Sequence, residues 1–167
     1  VQLRPIEDHP ALPANALALI GSGYEASDDL AQAQYFAEKA FDTDNGCARA
    51  LNLQGVIAFR RGQLDEASRY FQKAADGDKD WGDPWTNMGM VYWEQGGVEK
   101  ALDCFEKGFR LSPTAPNVAT TYHSAISETG QYGRAKKWFD QAVHRHPNFH
   151  RARYLLIDIL IQLEEHA

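Results

Sequence analysis

The feature that most constrains this chain is a residue pattern that recurs every 34 positions. A shift by that interval places Gly89 on Gly55 and Gly55 on Gly21. Other columns keep one residue type in register: Ala33, Ala67, Ala101 and Ala135; Phe71, Phe105 and Phe139; Gly62, Gly96 and Gly130. Self-similarity at an interval of this length is typical of proteins that stack one supersecondary unit on the next.

The third unit shows what the pattern predicts locally. Trp85, Gly89 and Tyr92 fall at i, i+4 and i+7, which places them on one face of an α-helix. Pro84 suits the first turn of that helix, and Gly96 suits its end. Extended over the chain, the pattern predicts helices at residues 14–26, 29–42, 47–61, 64–76, 82–95, 98–111, 116–129, 132–145 and 150–164.

These columns resemble the tetratricopeptide repeat, whose unit carries a Trp/Leu-Gly-Tyr stripe, then Ala, Phe and Ala, then Pro. The resemblance implies an all-α solenoid, a right-handed superhelix of antiparallel helix pairs. It divides the chain into an extended lead-in at residues 1–13 and a repeat domain at residues 14–167. The domain has units at 14–47, 48–81, 82–115 and 116–149, followed by a terminal helix at 150–164.

One departure from the repeat is His123, which stands where the other units carry glycine. Small residues let two helices approach closely, and large residues fill the adjoining gaps. A histidine in this column is therefore expected to widen the fourth helix pair.

The resemblance also implies where a partner binds, because in this family the first helix of each pair lines the concave surface. The implied function is a protein-interaction scaffold or adaptor that binds a peptide or protein segment in that groove, without catalysis. The candidate partner-binding residues are those outside the packing columns: Arg49, Asn52, Phe59, Arg60, Thr86, Asn87, Met90, Trp93, Thr121 and Arg151.

Three of these candidates are large and apolar, namely Phe59, Met90 and Trp93. Covering each of them would contribute roughly 1.5–3 kcal/mol relative to leaving it in water. Two readings stay open: a bound partner or the chain's own lead-in covers them, or they pack between repeats.

The polar candidates suit different parts of a bound segment. Asn87 is placed to hydrogen-bond an extended peptide backbone, as asparagine does at this position in the family. Arg49, Arg60 and Arg151 suit acidic side chains or a terminal carboxylate.

The sequence contains few candidates for a catalytic or metal-binding site. His144, His146 and His150 cluster within one segment, but no carboxylate or thiol completes a ligand set at metal-binding spacing. We therefore expect no metal, no cofactor and no enzymatic activity.

Charge and hydropathy exclude two classes of partner. The net charge of −6 argues against nucleic-acid binding. No apolar run approaches the roughly 20 residues of a membrane-spanning helix, so no membrane insertion is expected. Cys47 and Cys104 are expected to be buried free thiols, which favours the cytoplasm. The periplasm is the alternative if a signal peptide has been removed.

The last predicted helix is apolar on nearly every side over residues 154–163. Its uncovered face suits a longer natural chain, self-association or a solvated cap. Two functional alternatives therefore stay open beside the scaffold. One is a targeting or regulatory module of a larger enzyme, such as a glycosyltransferase, and the other is a self-assembling structural repeat protein.

Overall fold

The computed structural model describes residues 12–165, so the predicted lead-in lies almost wholly outside the described residues. Within that range the chain forms nine α-helices and no strand, which confirms the all-α prediction, and the predicted helix ends agree to within one residue. The helices are α1 (Ala14–Ala26), α2 (Leu30–Thr43), α3 (Ala48–Arg60), α4 (Leu64–Gly77), α5 (Asp83–Glu94), α6 (Val98–Leu111), α7 (Pro116–Thr129), α8 (Tyr132–Arg145) and α9 (His150–Glu165).

The helices belong to two compact units, one ending at Gly77 and the other beginning at Asp78. In the first unit α1 packs on α2 and α3 packs on α4. In the second unit α5 packs on α6, and α7, α8 and α9 follow in turn. Within each unit, short connections make successive helices antiparallel neighbours, as the repeat pattern predicts.

The turn that follows the first helix of each pair contains a residue with left-handed backbone. Gly62, Gly96 and Gly130 have φ of +74°, +75° and +70°, a region that glycine adopts without the steric cost of a Cβ atom. The equivalent position in the first repeat holds Asp28, with φ of +65°. This column of residues therefore fixes the reversal between the two helices of a pair.

The glycine column sets how closely the paired helices approach. A Cβ atom added to Gly55 would lie 2.5 Å from the Phe71 ring, and one added to Gly89 would lie 2.6 Å from the Phe105 ring. Carbon atoms do not approach so closely, so each phenylalanine occupies the space that its glycine leaves.

The fourth pair differs because His123 occupies this column. As expected, α7 and α8 pack less closely than the two helices of each other pair. The His123 ring meets the Phe139 ring edge-on, with centroids 6.3 Å apart. Tyr122 stacks on the same phenylalanine at 5.9 Å and is fully buried, so its ring fills the widened space.

An ion-pair cluster joins α8 to α6. Arg134 contacts the carboxylates of Glu99 at 3.5 Å and Glu106 at 3.1 Å, and it also pairs with Asp103. Burial alone would lower the pKa of Arg134, but the hydrogen bonds to Asp103 and Glu106 outweigh it and raise that pKa. The guanidinium therefore stays charged and holds three carboxylates of α6 together.

Both cysteines, Cys47 and Cys104, are free and buried, as predicted. Burial raises the pKa of the Cys104 thiol from its ordinary value of 9.0 to about 11, so this group stays protonated at neutral pH.

Across residues 12–165, none of the helices is both long enough and apolar enough to span a bilayer.

Candidate partner-binding site

A cavity of ≈ 260 Å³ lies between α5 and α7 in the second unit. Three of the predicted partner-binding residues line it: Met90 and Trp93 from α5, and Thr121 from α7. The remaining lining residues are Glu94, Phe105, Thr120, Ser124, Ala125 and Glu128. The structure therefore brings part of the predicted set together at one place.

The apolar side of the cavity comes from α5 and α6. Met90 is 39% exposed, so its thioether side chain is open to a ligand. Trp93 is half-buried, because its ring packs against Phe105 with centroids 6.2 Å apart. The Trp93 ring thus packs on Phe105 of its own repeat, and the residue also lines the cavity. That a partner covers it remains a prediction.

The polar side of the cavity comes from α7. The Thr120 hydroxyl donates to the Pro116 carbonyl at 2.8 Å and accepts a hydrogen bond from Arg151 at 3.2 Å. Arg151, a predicted site residue on α9, is therefore bonded to a cavity residue. The hydroxyls of Thr121 and Ser124 lie on the same side of the cavity and can donate to or accept from a peptide backbone.

Two carboxylates give the cavity its charge, Glu94 from α5 and Glu128 from α7. Both residues are exposed. An apolar recess next to two acidic groups suits an apolar side chain that has a lysine or arginine beside it.

A larger recess of ≈ 480 Å³ lies between α6 and α8, and none of the predicted site residues lines it. Asp103 and Glu106, on its wall, are already paired with Arg134. Arg110 stacks over the Trp138 ring at 4.2 Å. Because these groups satisfy one another, the smaller cavity is the better candidate site.

The prediction that Thr86 faces the groove is wrong. Only 6% of this residue is exposed, and its hydroxyl hydrogen-bonds the Gly82 carbonyl at 3.3 Å. A Cβ atom at Gly108 would lie 2.4 Å from the Thr86 hydroxyl oxygen, so the threonine fills the space beside that glycine. Thr86 therefore packs between α5 and α6.

Arg60, in the first unit, is already engaged within the chain. It pairs with Glu25 at 2.9 Å and also with Asp28. The hydrogen bond from Arg60 to Glu25 raises the pKa of the arginine above its ordinary value. The structure thus gives Arg60 a role in joining α3 to α1.

The other predicted residues lie on first helices but outside the cavity. Arg49 is exposed on α3, and Asn52 and Phe59 are half-buried on the same helix. Asn87 is half-buried on α5. Their part in binding remains a prediction.

Sequence reasoning missed Glu128, although a signal for it was present. Glu128 follows the predicted residue Thr121 by seven residues, so both lie on one face of α7. Phe105 was assigned to packing alone, yet it also lines the cavity.

Within the described part of the chain, no three side chains of histidine, cysteine, aspartate or glutamate are arranged to hold a metal ion. His144, His146 and His150 are all exposed.

Comparison with known families identifies the repeat. Family models described as the tetratricopeptide repeat match residues 14–84 and 127–167, and a further one matches residues 82–114.

Two curated proteins illustrate the relatives. The chain is 27% identical over 99 residues to the Photosystem I assembly protein Ycf3 of Prochlorococcus marinus, covering 53% of this chain and 57% of that protein. It is 31% identical over 84 residues to the anaphase-promoting complex subunit cut9 of Schizosaccharomyces pombe, covering 46% of this chain and 12% of that protein. The matched region thus spans little more than half of the first relative and a small part of the second.

Solved structures agree with the fold. The chain is similar to cut9 in its complex with Hcn1, with a TM-score of 0.62 at 22% identity over 89% of this chain and 30% of that chain. Its TM-score to pilF of Pseudomonas aeruginosa is 0.61 at 21% identity, over 96% of this chain and 78% of that chain. A third similar structure is YrrB, described as a TPR protein with an unusual peptide-binding site, with a TM-score of 0.55 at 20% identity over 93% of this chain and 78% of that chain. At these identities the likeness shows the fold alone.

Proposed function

Because the chain belongs to the tetratricopeptide repeat family, we propose that it is a non-catalytic scaffold that holds a segment of another protein. The names of two relatives support a role of this kind: one is an assembly protein and the other is a subunit of a larger complex. We place the bound segment at the cavity between α5 and α7.

The observation that carries this proposal is the composition of the cavity wall. Met90, Trp93 and Phe105 supply an apolar surface, and Glu94 and Glu128 supply two carboxylates. Its volume of ≈ 260 Å³ is just below the roughly 300–1,000 Å³ of small-molecule pockets, which suits one or two side chains of a peptide.

The proposed partner is therefore a segment with an apolar anchor residue next to a lysine or arginine. The anchor would lie against Met90 and Trp93, and the cation would pair with Glu94 or Glu128. The hydroxyls of α7 would bond the peptide backbone. The net charge of −6 favours the approach of such a basic segment through long-range attraction.

The test uses labelled dodecapeptides with leucine, phenylalanine or serine at the centre and lysine or glutamate on either side. Fluorescence anisotropy should show the tightest binding for an apolar centre flanked by lysine. Affinity should fall as salt increases, because the rim carboxylates are exposed.

A matched pair of variants locates the site. Ser124→Trp places an indole in the cavity and should weaken binding at least about tenfold, since the anchor loses its space. Ser127→Trp places the same side chain at an exposed position of α7 that does not line the cavity, and should bind like the natural chain. Equal losses in both variants, or equal binding of the lysine and glutamate peptides, would contradict the proposal.

A further inference from the structure

Helix α9 buries only one of its sides. Ala152, Leu156 and Ile159 face the core of the second unit. On other sides of the helix Tyr154 is 73% exposed and Ile161 is 48% exposed. Large apolar side chains exposed in this way mark a surface suited to contact with a further helix or another molecule.

The repeat register indicates what kind of element covers this surface. Ile157 stands two repeats after Gly89 and three after Gly55, and it is 49% exposed. In those repeats the same position packs against the second helix of the pair, on Phe105 and Phe71 respectively. The exposed side of α9 is thus the side that a helix covers in the other repeats.

The residues along this side are spaced symmetrically about the middle of the helix. Arg153, Ile157, Leu160 and Glu164 follow at intervals of four, three and four residues, which keeps them on one face of the helix. The two apolar residues lie in the middle, and opposite charges lie at the two ends. Leu160 is 36% exposed, and both charged residues are exposed as well.

We propose that this face binds the same face of a second copy of the chain, with the two α9 helices antiparallel. Ile157 then meets Leu160 of the second copy, and Arg153 meets Glu164 of the second copy. A two-fold axis repeats both contacts, so each copy contributes both charges and both apolar residues. This dimer does not depend on the peptide-binding function.

The local geometry of Arg153 suits this pairing. Its guanidinium donates to the Pro147 carbonyl at 2.6 Å, which holds it near the start of α9. Arginine has five N–H donors, so the group can also bind a carboxylate from the second copy. Antiparallel helices also place the acidic end of one α9 beside the positive end of the other helix dipole.

The first test measures association by sedimentation equilibrium over a range of protein concentrations. The natural chain should form a dimer, and Ile157→Glu should raise the dissociation constant at least about tenfold, because it places two carboxylates in the interface. Leu19→Glu is the matched control, since Leu19 is 69% exposed on α1 and should leave association unchanged. A natural chain that stays monomeric at every concentration overturns the proposal.

A charge exchange tests the antiparallel register. Arg153→Glu and Glu164→Arg should each weaken the dimer, because each places like charges opposite one another. An equal mixture of the two variants should form a heterodimer, and a chain carrying both substitutions should again form a homodimer. Circular dichroism checks that each variant is folded. Dimers that tolerate either single change, or that neither combination restores, overturn the proposed arrangement.

Discussion

The imidazole Nε2 of His123 lies 2.8 Å from a carboxylate oxygen of Asp158, so a side chain of α7 is hydrogen-bonded to α9. The other repeats have glycine at this position and pack the two helices of the pair closely. The fourth repeat instead has a wider pair whose first helix is tied to the next helix along the chain.

We expect this bond to stabilise the end of the second unit. His123→Ala and Asp158→Ala should each lower the free energy of unfolding, and a double-mutant cycle should give a coupling energy of about 1 kcal/mol. Urea denaturation of the four chains measures it. Strictly additive effects would mean that the two side chains do not stabilise one another.

The glycine column should respond to alanine in a position-specific way. Gly89→Ala should lower the free energy of unfolding by about 1–3 kcal/mol, because its Cβ would lie 2.6 Å from the Phe105 ring. Gly23→Ala should raise it by about 0.5–1 kcal/mol, because Gly23 lies within α1 with nothing inside 4 Å of the added atom. Chemical denaturation distinguishes the two, and a similar response at both sites would refute close packing at Gly89.

The cluster around Arg134 should matter more than an exposed pair on the same helix. Arg134→Met keeps an apolar stem but leaves the carboxylates of Asp103 and Glu106 facing one another, so it should cost about 1–3 kcal/mol. Lys136→Met removes an exposed pair with Asp140 and should cost about 0.5 kcal/mol or less. Thermal unfolding at low and high salt would measure both. Equal costs would show that the cluster contributes nothing beyond a surface pair.

Alkaline pH should destabilise the chain through Cys104. Its thiol ionises near 9.0 when exposed and near 11 when buried, so between these values the unfolded state binds fewer protons than the folded state. The free energy of unfolding therefore falls as pH rises through this range. Burial also raises the pKa of Tyr122 above its ordinary value of 10.0, which continues the fall at higher pH.

Urea denaturation at several values between about pH 8 and pH 10.5 tests this prediction. Cys104→Ala should flatten the decline in that range relative to the natural chain. Cys47→Ala is the control and should retain the part of the decline that Cys104 causes. An unchanged slope in Cys104→Ala would assign the decline to other groups.

The helices could be predicted from the sequence because the same packing residues recur at the same positions in several repeats. The recurring glycine and phenylalanine columns predict which residues contact each other. Gly55 packs on Phe71, and Gly89 packs on Phe105. A column seen in several units is therefore far more informative than one helix considered alone.

Thr86 could not be placed in this way. Its position in the repeat holds residues of different character, and what buries it is Gly108 on the neighbouring helix, where other units carry alanine such as Ala74. The available signal was that Gly108 stands in a column where other units have alanine. The missing methyl group leaves room for a side chain of the paired helix, which here is Thr86.

The cavity was predicted in part. The face of α5 that carries Met90 and Trp93 follows from helical periodicity, but the approach of Ser124 and Glu128 from α7 depends on the spacing of non-consecutive helices. Repeat periodicity alone does not predict the distance between α5 and α7.

In the described chain each helix packs on helices one or two places away in sequence. Folding therefore closes only short loops before contacts form, which keeps contact order low and favours rapid folding. Helices near the amino terminus can reach their packing partners while the ribosome is still synthesising those near the carboxyl terminus.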